Sequence, residues 1–309
     1  MASVYLVATL LHLLFGMVAA VLVKQDAVLR GSDRPLLWAV AVLASGVVGV
    51  VGYLAVRGRI GPLPPEAKPP LVARLGSLTR AVAVVFAAFL AAYAIAGLGS
   101  SLLVATGVLS RDGLAIRVAL SVLQFVGFGV GVAGYMAVAD DWDLLRVRVP
   151  SLREVGWVGG GVVGIVFAAA AVGQLLSAFG VEVAQNQVVV VGQENPRFFL
   201  YMIPVSLLLV GPFEELVFRG TVQGVLRRTW GGDVAIVVAS VMFGVVHWIA
   251  LTGGGTGRVP YIAIAATLGL ILGFVYERTG NLVVPAAVHG VYNSVLFTVQ
   301  YAVATGMVS

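Results

Sequence analysis

Three short patterns in the C-terminal half place chemically capable side chains inside apolar sequence. Glu214, Glu215 and Arg219 close the run Gly211-Pro212-Phe213-Glu214-Glu215-Leu216-Val217-Phe218-Arg219. His247 follows Phe243 by four residues, and His289 precedes Asn293 by four. Ionisable groups in such surroundings cost a few kcal/mol each to insert into a bilayer and mark function or a structural pair. A carboxylate with imidazoles in a low-dielectric site holds and deprotonates a water. An imidazole and a carboxamide NH₂ are suitable donors to the oxyanion formed when water attacks a peptide carbonyl. The set therefore reads as a hydrolase without a covalent nucleophile. Two His and one Glu would also bind Zn²⁺ and leave a position for water, so a metal variant stays open.

The rest of the chain must hold these groups in a membrane. Of 309 residues, 60% are hydrophobic and 11% charged, with a mean hydropathy of +1.03. An ordinary soluble domain carries about 25% charged residues, so too little polar surface is present to coat a water-facing globule. Apolar runs stand at about 3–23, 36–56, 81–109, 118–139, 157–179, 198–218, 233–251, 261–277 and 281–305. The expected fold is an all-α, polytopic transmembrane helical bundle of about eight or nine spans. The net charge of +5 comes from Lys and Arg scattered through loops, with no basic stripe, so no nucleic-acid partner is expected. Cysteine is absent, which removes disulfides, thiolate zinc sites and cysteine nucleophiles.

Pro62, Pro64, Pro65, Pro69 and Pro70 forbid a continuous helix between Arg57 and Arg80. A polar stretch from Asp140 to Glu154 marks a soft boundary between an N-terminal transmembrane region of unknown role, 1–150, and a C-terminal core, 151–309. Gly159, Gly161 and Gly164 fit a GxGxxG spacing, but no strand precedes them. Gly156, Gly160 and Gly164 read instead as a ladder for close helix packing, with Gly127 and Gly131 a shorter version. With nine spans, the loop Lys and Arg favour a cytoplasmic N terminus and put the Arg227–Arg228 turn in the cytoplasm. Lys24, Arg30 and Arg34, after the first helix, argue the opposite.

Spacing tests whether the polar groups meet. A turn at Trp230-Gly231-Gly232-Asp233, with Asp233 as N-cap, leaves Glu214 and His247 equidistant from its centre. Both lie about 20–25 Å along their helices from it, so an antiparallel hairpin brings them to one depth. A turn near Arg278-Thr279-Gly280-Asn281 puts His289 about 15 Å and Asn293 about 20 Å along the last helix. Being four apart, those two share one helical face. Glu215 and Arg219, also four apart, are expected to pair and lower the cost of burying either. A lone buried His is more often structural than catalytic, and His12 is read so. A lone Glu–Arg pair serves equally to tie helices together. Four groups at compatible depths are harder to explain as packing.

Neither HExxH, GxGD nor GxSG occurs. The ordered set Glu214-Glu215-x-x-x-Arg219, Phe243-x-x-x-His247 and His289-x-x-x-Asn293 resembles the CPBP family, which includes the Abi and type II CAAX prenyl endopeptidases and bacteriocin-processing proteins. The resemblance covers roughly residues 157–305. It implies that Glu214 is the general base, assisted by His289, while His247 and Asn293 hold the water or the oxyanion. Glu215 and Arg219 would support the site, and Phe243 would pack beside it. Metal involvement is contested in this family; if a metal takes part, Glu214, His247 and His289 are its candidate ligands, and zinc its candidate identity. The implied substrate is a protein or peptide, lipid-modified (prenylated) or membrane-associated, met at a cavity among membrane lipid. The implied location is the cell membrane, with the site accessible from the cytoplasmic side. A non-catalytic scaffold binding lipidated tails or partner proteins is the main alternative. A proton-coupled transporter is a weaker one, because the polar motifs do not repeat in the first half.

Overall fold

Proline and glycine decide where these helices start, stop and bend. The computed structural model describes the backbone of residues 2–62, 71–253 and 255–308, and their side chains except those of 2–15, 47, 71 and 72. Pro64, Pro65, Pro69, Pro70 and the His12 side chain lie outside the described residues. The helices are α1 (Ala2–Leu29), α2 (Pro35–Ser45), α3 (Val47–Ile60), α4 (Leu71–Ala105), α5 (Leu114–Ala139), α6 (Leu152–Ala178) and α7 (Gln187–Glu194). They continue as α8 (Arg197–Trp230), α9 (Gly232–Val246, prolonged by a 3₁₀ turn His247–Ala250), α10 (Arg258–Thr279) and α11 (Val283–Ala304). By length and composition, α4, α5, α6, α8, α9 and α10 are able to cross a membrane. With 28 and 22 residues, α1 and α11 have the length as well. Among the described residues the only β feature is a bridge between Asn186 and Leu251, so the protein is a polytopic helical bundle.

The apolar run 36–56 is not one span. Helix α2 has 11 residues, about 16 Å of rise against a hydrocarbon core of about 30 Å. Gly46, at φ 58, breaks the chain where only glycine is comfortable. Helix α3 then returns along α2: Trp38 meets Tyr53 at 5.4 Å between ring centroids, and the Arg30 guanidinium donates to the Gly61 carbonyl at 2.9 Å. Asp26 closes the base, pairing with Arg30 and accepting from the Tyr53 hydroxyl at 2.9 Å. The chain thus enters and leaves on one face, and among the described residues eight helices of spanning length remain.

One face of the bundle gathers the ends of α1, α3, α5, α8 and α10. There Lys24 pairs with Asp233 at 2.6 Å, Arg227 with Glu277 at 2.9 Å, and Arg228 with Asp141 and Asp143. Asn281, fully buried, exchanges hydrogen bonds with the Arg148 backbone and tethers the 141–151 loop to the start of α11. On the opposite face Thr252 N donates to Gln185 O at 2.9 Å and Ala184 N to Gly257 O at 3.0 Å, joining the loops after α6 and α9. Five crossings, by α1, α4, α5, α6 and α8, separate the N-terminal end of α1 from the Arg227–Arg228 turn, so that end lies on the opposite face. The nine-span expectation had both on one side; the hairpin at Gly46 is the reason it fails.

Two local readings also change. Asp233 is not an N-cap: Gly231 caps α9, and the Asp233 carboxylate is held by Lys24 instead. The ladder Gly156, Gly160, Gly164 does not pack as such, because a Cβ at Gly156 or Gly160 would meet nothing within 4 Å. The tight position on α6 is Gly161, where a Cβ would lie 2.7 Å from Val288. Helices α4 and α5 do pack closely at the shorter ladder, where a Cβ at Gly131 would lie 2.6 Å from the Ala87 carbonyl oxygen and from Ala88 Cα.

Candidate active site

The helix carrying the carboxylates is irregular for a chemical reason. Pro204 and Pro212 have no N–H to donate back along α8. The helix widens into π turns over Ser206–Val210 and Leu216–Gln223, leaving a short α segment, Gly211–Glu215, between them. Such π turns occur mostly where function demands an altered register. Here Glu215 is fully buried, whereas Glu214 keeps 17% of its side chain exposed, toward a cavity.

Small residues let α11 reach this segment. A Cβ at Gly211 would overlap the Ala286 carbonyl and come within 2.9 Å of Gly290 N. One at Gly290 would lie 2.9 Å from Ser206 O and 3.0 Å from Leu207 Cα. The backbones of α8 and α11 therefore touch directly, and His289, next to Gly290, is set against both glutamates. Similarly, a Cβ at Gly244 would lie 2.6 Å from Ile262 O, so α9 and α10 close together beside Phe243 and His247.

The resulting geometry is specific. His289 Nδ1 lies 2.9 Å from Glu215 Oε1, a carboxylate that only accepts, so Nδ1 carries the hydrogen. The other ring nitrogen, Nε2, faces Glu214 Oε2 at 3.9 Å, too long for a direct hydrogen bond and compatible with a bridging water. Arg219 Nη1 donates to Glu215 at 3.2 Å, while its Nε approaches the other Glu215 oxygen at 3.1 Å as an ion contact without hydrogen-bond alignment. Arg219 Nη2 donates to the Gly269 carbonyl at 3.0 Å, and the guanidinium carbon stands 4.6 Å from the Phe243 ring centre. Phe243 also meets the rings of His247 at 4.6 Å and His289 at 5.8 Å. His247 Nδ1 donates to the Phe243 carbonyl at 2.6 Å, leaving Nε2 to act.

Glu214, His247, His289 and Asn293 all line one cavity of about 300 Å³. Glu215 and Arg219 stand behind it, at 0% exposure, and do not line it. The wall holds further residues that the sequence did not single out. Tyr261, from α10, stands 6.1 Å from the His247 ring and accepts from Asn186 Nδ2 at 3.3 Å. Phe89 and Tyr93 of α4, with Gln124, Phe125 and Phe128 of α5, complete it. Their signal was faint, since aromatics in an apolar helix read as lipid-facing or core. Gln124, a lone amide in the apolar run 118–139, was the residue to notice.

Glu214, His247 and His289 do not close into a metal-ligand set. Among the described residues no group of three His, Cys, Asp or Glu is placed to hold an ion. The Nδ1 atoms of His289 and His247 bond Glu215 and a backbone carbonyl, which leaves the Nε2 atom of each toward the cavity, and no step below is routed through a metal.

The site thus sets one carboxylate, two imidazoles and a carboxamide around a single cavity in a multi-pass helical bundle. Residues 196–295 match the family described as Rce1-like, type II CAAX prenyl endopeptidase. That segment, about a third of the chain, contains all three motifs. The chain matches no curated protein and no solved structure.

Proposed function

We propose that the protein is an intramembrane endopeptidase of the cell membrane that hydrolyses a peptide bond with a water activated at Glu214. The observation that carries this reading is the arrival of Glu214, His247, His289 and Asn293 from three helices on one cavity, with His289 fixed in orientation by a buried carboxylate. A water between Glu214 Oε2 and His289 Nε2 would bridge their 3.9 Å separation. Glu214 accepts its proton as the hydroxide oxygen attacks the scissile carbonyl, and later passes that proton to the leaving amine. His289 assists by balancing the charge on Glu214, and Glu215 with Arg219 keeps its ring in place. His247 Nε2 and the Asn293 amide hold the water and the developing oxyanion. The substrates are protein or peptide chains associated with the membrane, since the cavity wall is mainly apolar and aromatic.

The test is cleavage of apolar, quenched peptides and of membrane-peptide extracts by purified protein in detergent. Wild type is expected to cleave, and Glu214→Ala, His247→Ala and His289→Ala to lose turnover. Unchanged cleavage by the Glu214 variant would sink the mechanism. If cleavage is absent in all, and binding of lipidated peptides persists in Glu214→Ala, the protein is a scaffold instead.

A further inference from the structure

We infer that the cavity takes its substrate from the non-cytoplasmic side of the membrane, as an apolar stretch of an exported or membrane-inserted polypeptide. This rests on the proteolytic reading above and names the side and class of its substrate.

The first observation is where the charges fall once the hairpin at Gly46 is included. The chain carries 19 Lys and Arg. Among the described residues only Arg111, Arg117, Arg197 and Arg258 lie at helix ends opposite the Arg227–Arg228 turn, and Arg219 is buried between the faces. The hairpin brings Arg30, Arg34, Arg57 and Arg59 to the same face as Lys24, Arg227 and Arg228. The conflict between the first helix and the later loops disappears. Excess Lys and Arg in short loops marks the cytoplasmic side, so the basic face is cytoplasmic and the Gln185–Thr252 face is not.

The second observation is which way the cavity opens. Its rim is formed by Asn186, Gln187, Ile249 and Ala250, all on the Gln185–Thr252 face, with Gln187 and Ile249 exposed. His247 stands three residues from the end of its helix at Ala250, about 5 Å, against about 22 Å from Gly232 on the basic side. Toward the basic face the cavity is floored by Phe218, with Glu215, Arg219 and Gln223, all at 0% exposure, behind it. No residue from the basic-face loops lines it. A lipid-modified C terminus made in the cytoplasm would meet that floor. An extended apolar segment entering from the other face would meet the Asn186 and Gln124 amides beside an aromatic wall. Entry from that face departs from the cytoplasmic access that the family resemblance implies.

The cysteine-free chain suits a labelling test. Glu182→Cys and Asp33→Cys, both at exposed positions on opposite faces, are each treated in intact cells with a membrane-impermeant maleimide. Glu182→Cys is expected to label directly and Asp33→Cys only after permeabilisation; the reverse pattern overturns the inference. Labelling needs no catalysis, so it is independent of the hydrolase reading. In a second arm, wild type in right-side-out and inside-out vesicles receives an impermeant quenched apolar peptide. Cleavage confined to right-side-out vesicles supports the inference, and cleavage confined to inside-out vesicles overturns it. Cleavage in neither, with the expected labels, supports the orientation and overturns the hydrolase.

Discussion

Adjacent glutamates are given opposite tasks by one residue of helical phase. Glu214 faces the cavity with its nearest polar partner 3.9 Å away, so replacing it with Gln removes a base without breaking a buried contact. Glu214→Gln is expected to lower kcat by about 10²–10⁴-fold while leaving the thermal midpoint in detergent within error of wild type. Glu215 is the converse. It satisfies Arg219 and His289 together inside the bundle, and its loss leaves a buried guanidinium without its counter-charge. Removing one partner of a buried pair costs about 3–5 kcal/mol, so Glu215→Ala is expected to lower unfolding stability by that order as well as activity. A Glu215→Ala protein as stable as wild type would show that Arg219 does not depend on this carboxylate. At this scale the sequence was informative: the four-residue spacing of Glu215 and Arg219 foretold their pairing. It was silent on His289, whose tie to Glu215 depends on a rotation introduced by the π turns.

Helix crossings, more than propensity, put these side chains together. Gly211 and Gly290 allow α8 and α11 to touch backbone to backbone, and a methyl group at either must push the helices apart. Gly290→Ala is expected to cost about 1–3 kcal/mol by overpacking and to reduce cleavage sharply, since His289 moves with the backbone. Gly160→Ala, where an added Cβ meets nothing within 4 Å, is the matched control and should change neither property. Equal behaviour of the two variants, in melting and turnover, would refute the crossing argument. The register argument from the Trp230 and Gly280 turns was legible because turn residues and helical rise fix depth. Depth does not reveal which face packs. The glycine ladder on α6 was therefore misread, since Gly156 and Gly160 follow the right spacing on a face without a neighbour. The hairpin at α2 and α3 escaped for a different reason: its 36–56 run has the length of one span, and Gly46 alone carries the break. The contribution of α4 and α5 to the cavity wall is a tertiary fact that spacing within either helix does not encode.

Over the whole molecule, the charged end of the bundle works as a clamp on the helices that bear the site. Arg228, at the foot of α8, binds Asp141 and Asp143 in the loop between α5 and α6, and Tyr135 donates to the same Asp141 at 3.0 Å. Burial alone would raise the Asp141 carboxyl, but the Arg228 and Tyr135 hydrogen bonds and the Arg228 charge outweigh it and hold the group below its ordinary value. A carboxyl whose folded pKa is depressed binds protons more readily when unfolded, so stability rises with pH through that interval. The contribution is complete above the unfolded value of about 3.9 and disappears as pH falls through the lower folded value. Arg228 keeps 38% of its side chain exposed, and solvent screening reduces the pair to the order of 1 kcal/mol. Asp141→Asn is therefore expected to melt below wild type at pH 6–7, with the gap closing as pH drops below about 4, and at high salt to a smaller degree. Thermal scans of both proteins from pH 3 to 7 check this. A gap that persists undiminished at pH 3 would assign the loss to packing in the loop rather than to the ionised carboxylate. If the clamp acts as described, Asp141→Asn also loosens the seat of α8 while leaving Glu214 and its partners in place. Turnover should then fall only as the temperature approaches the variant's own melting transition.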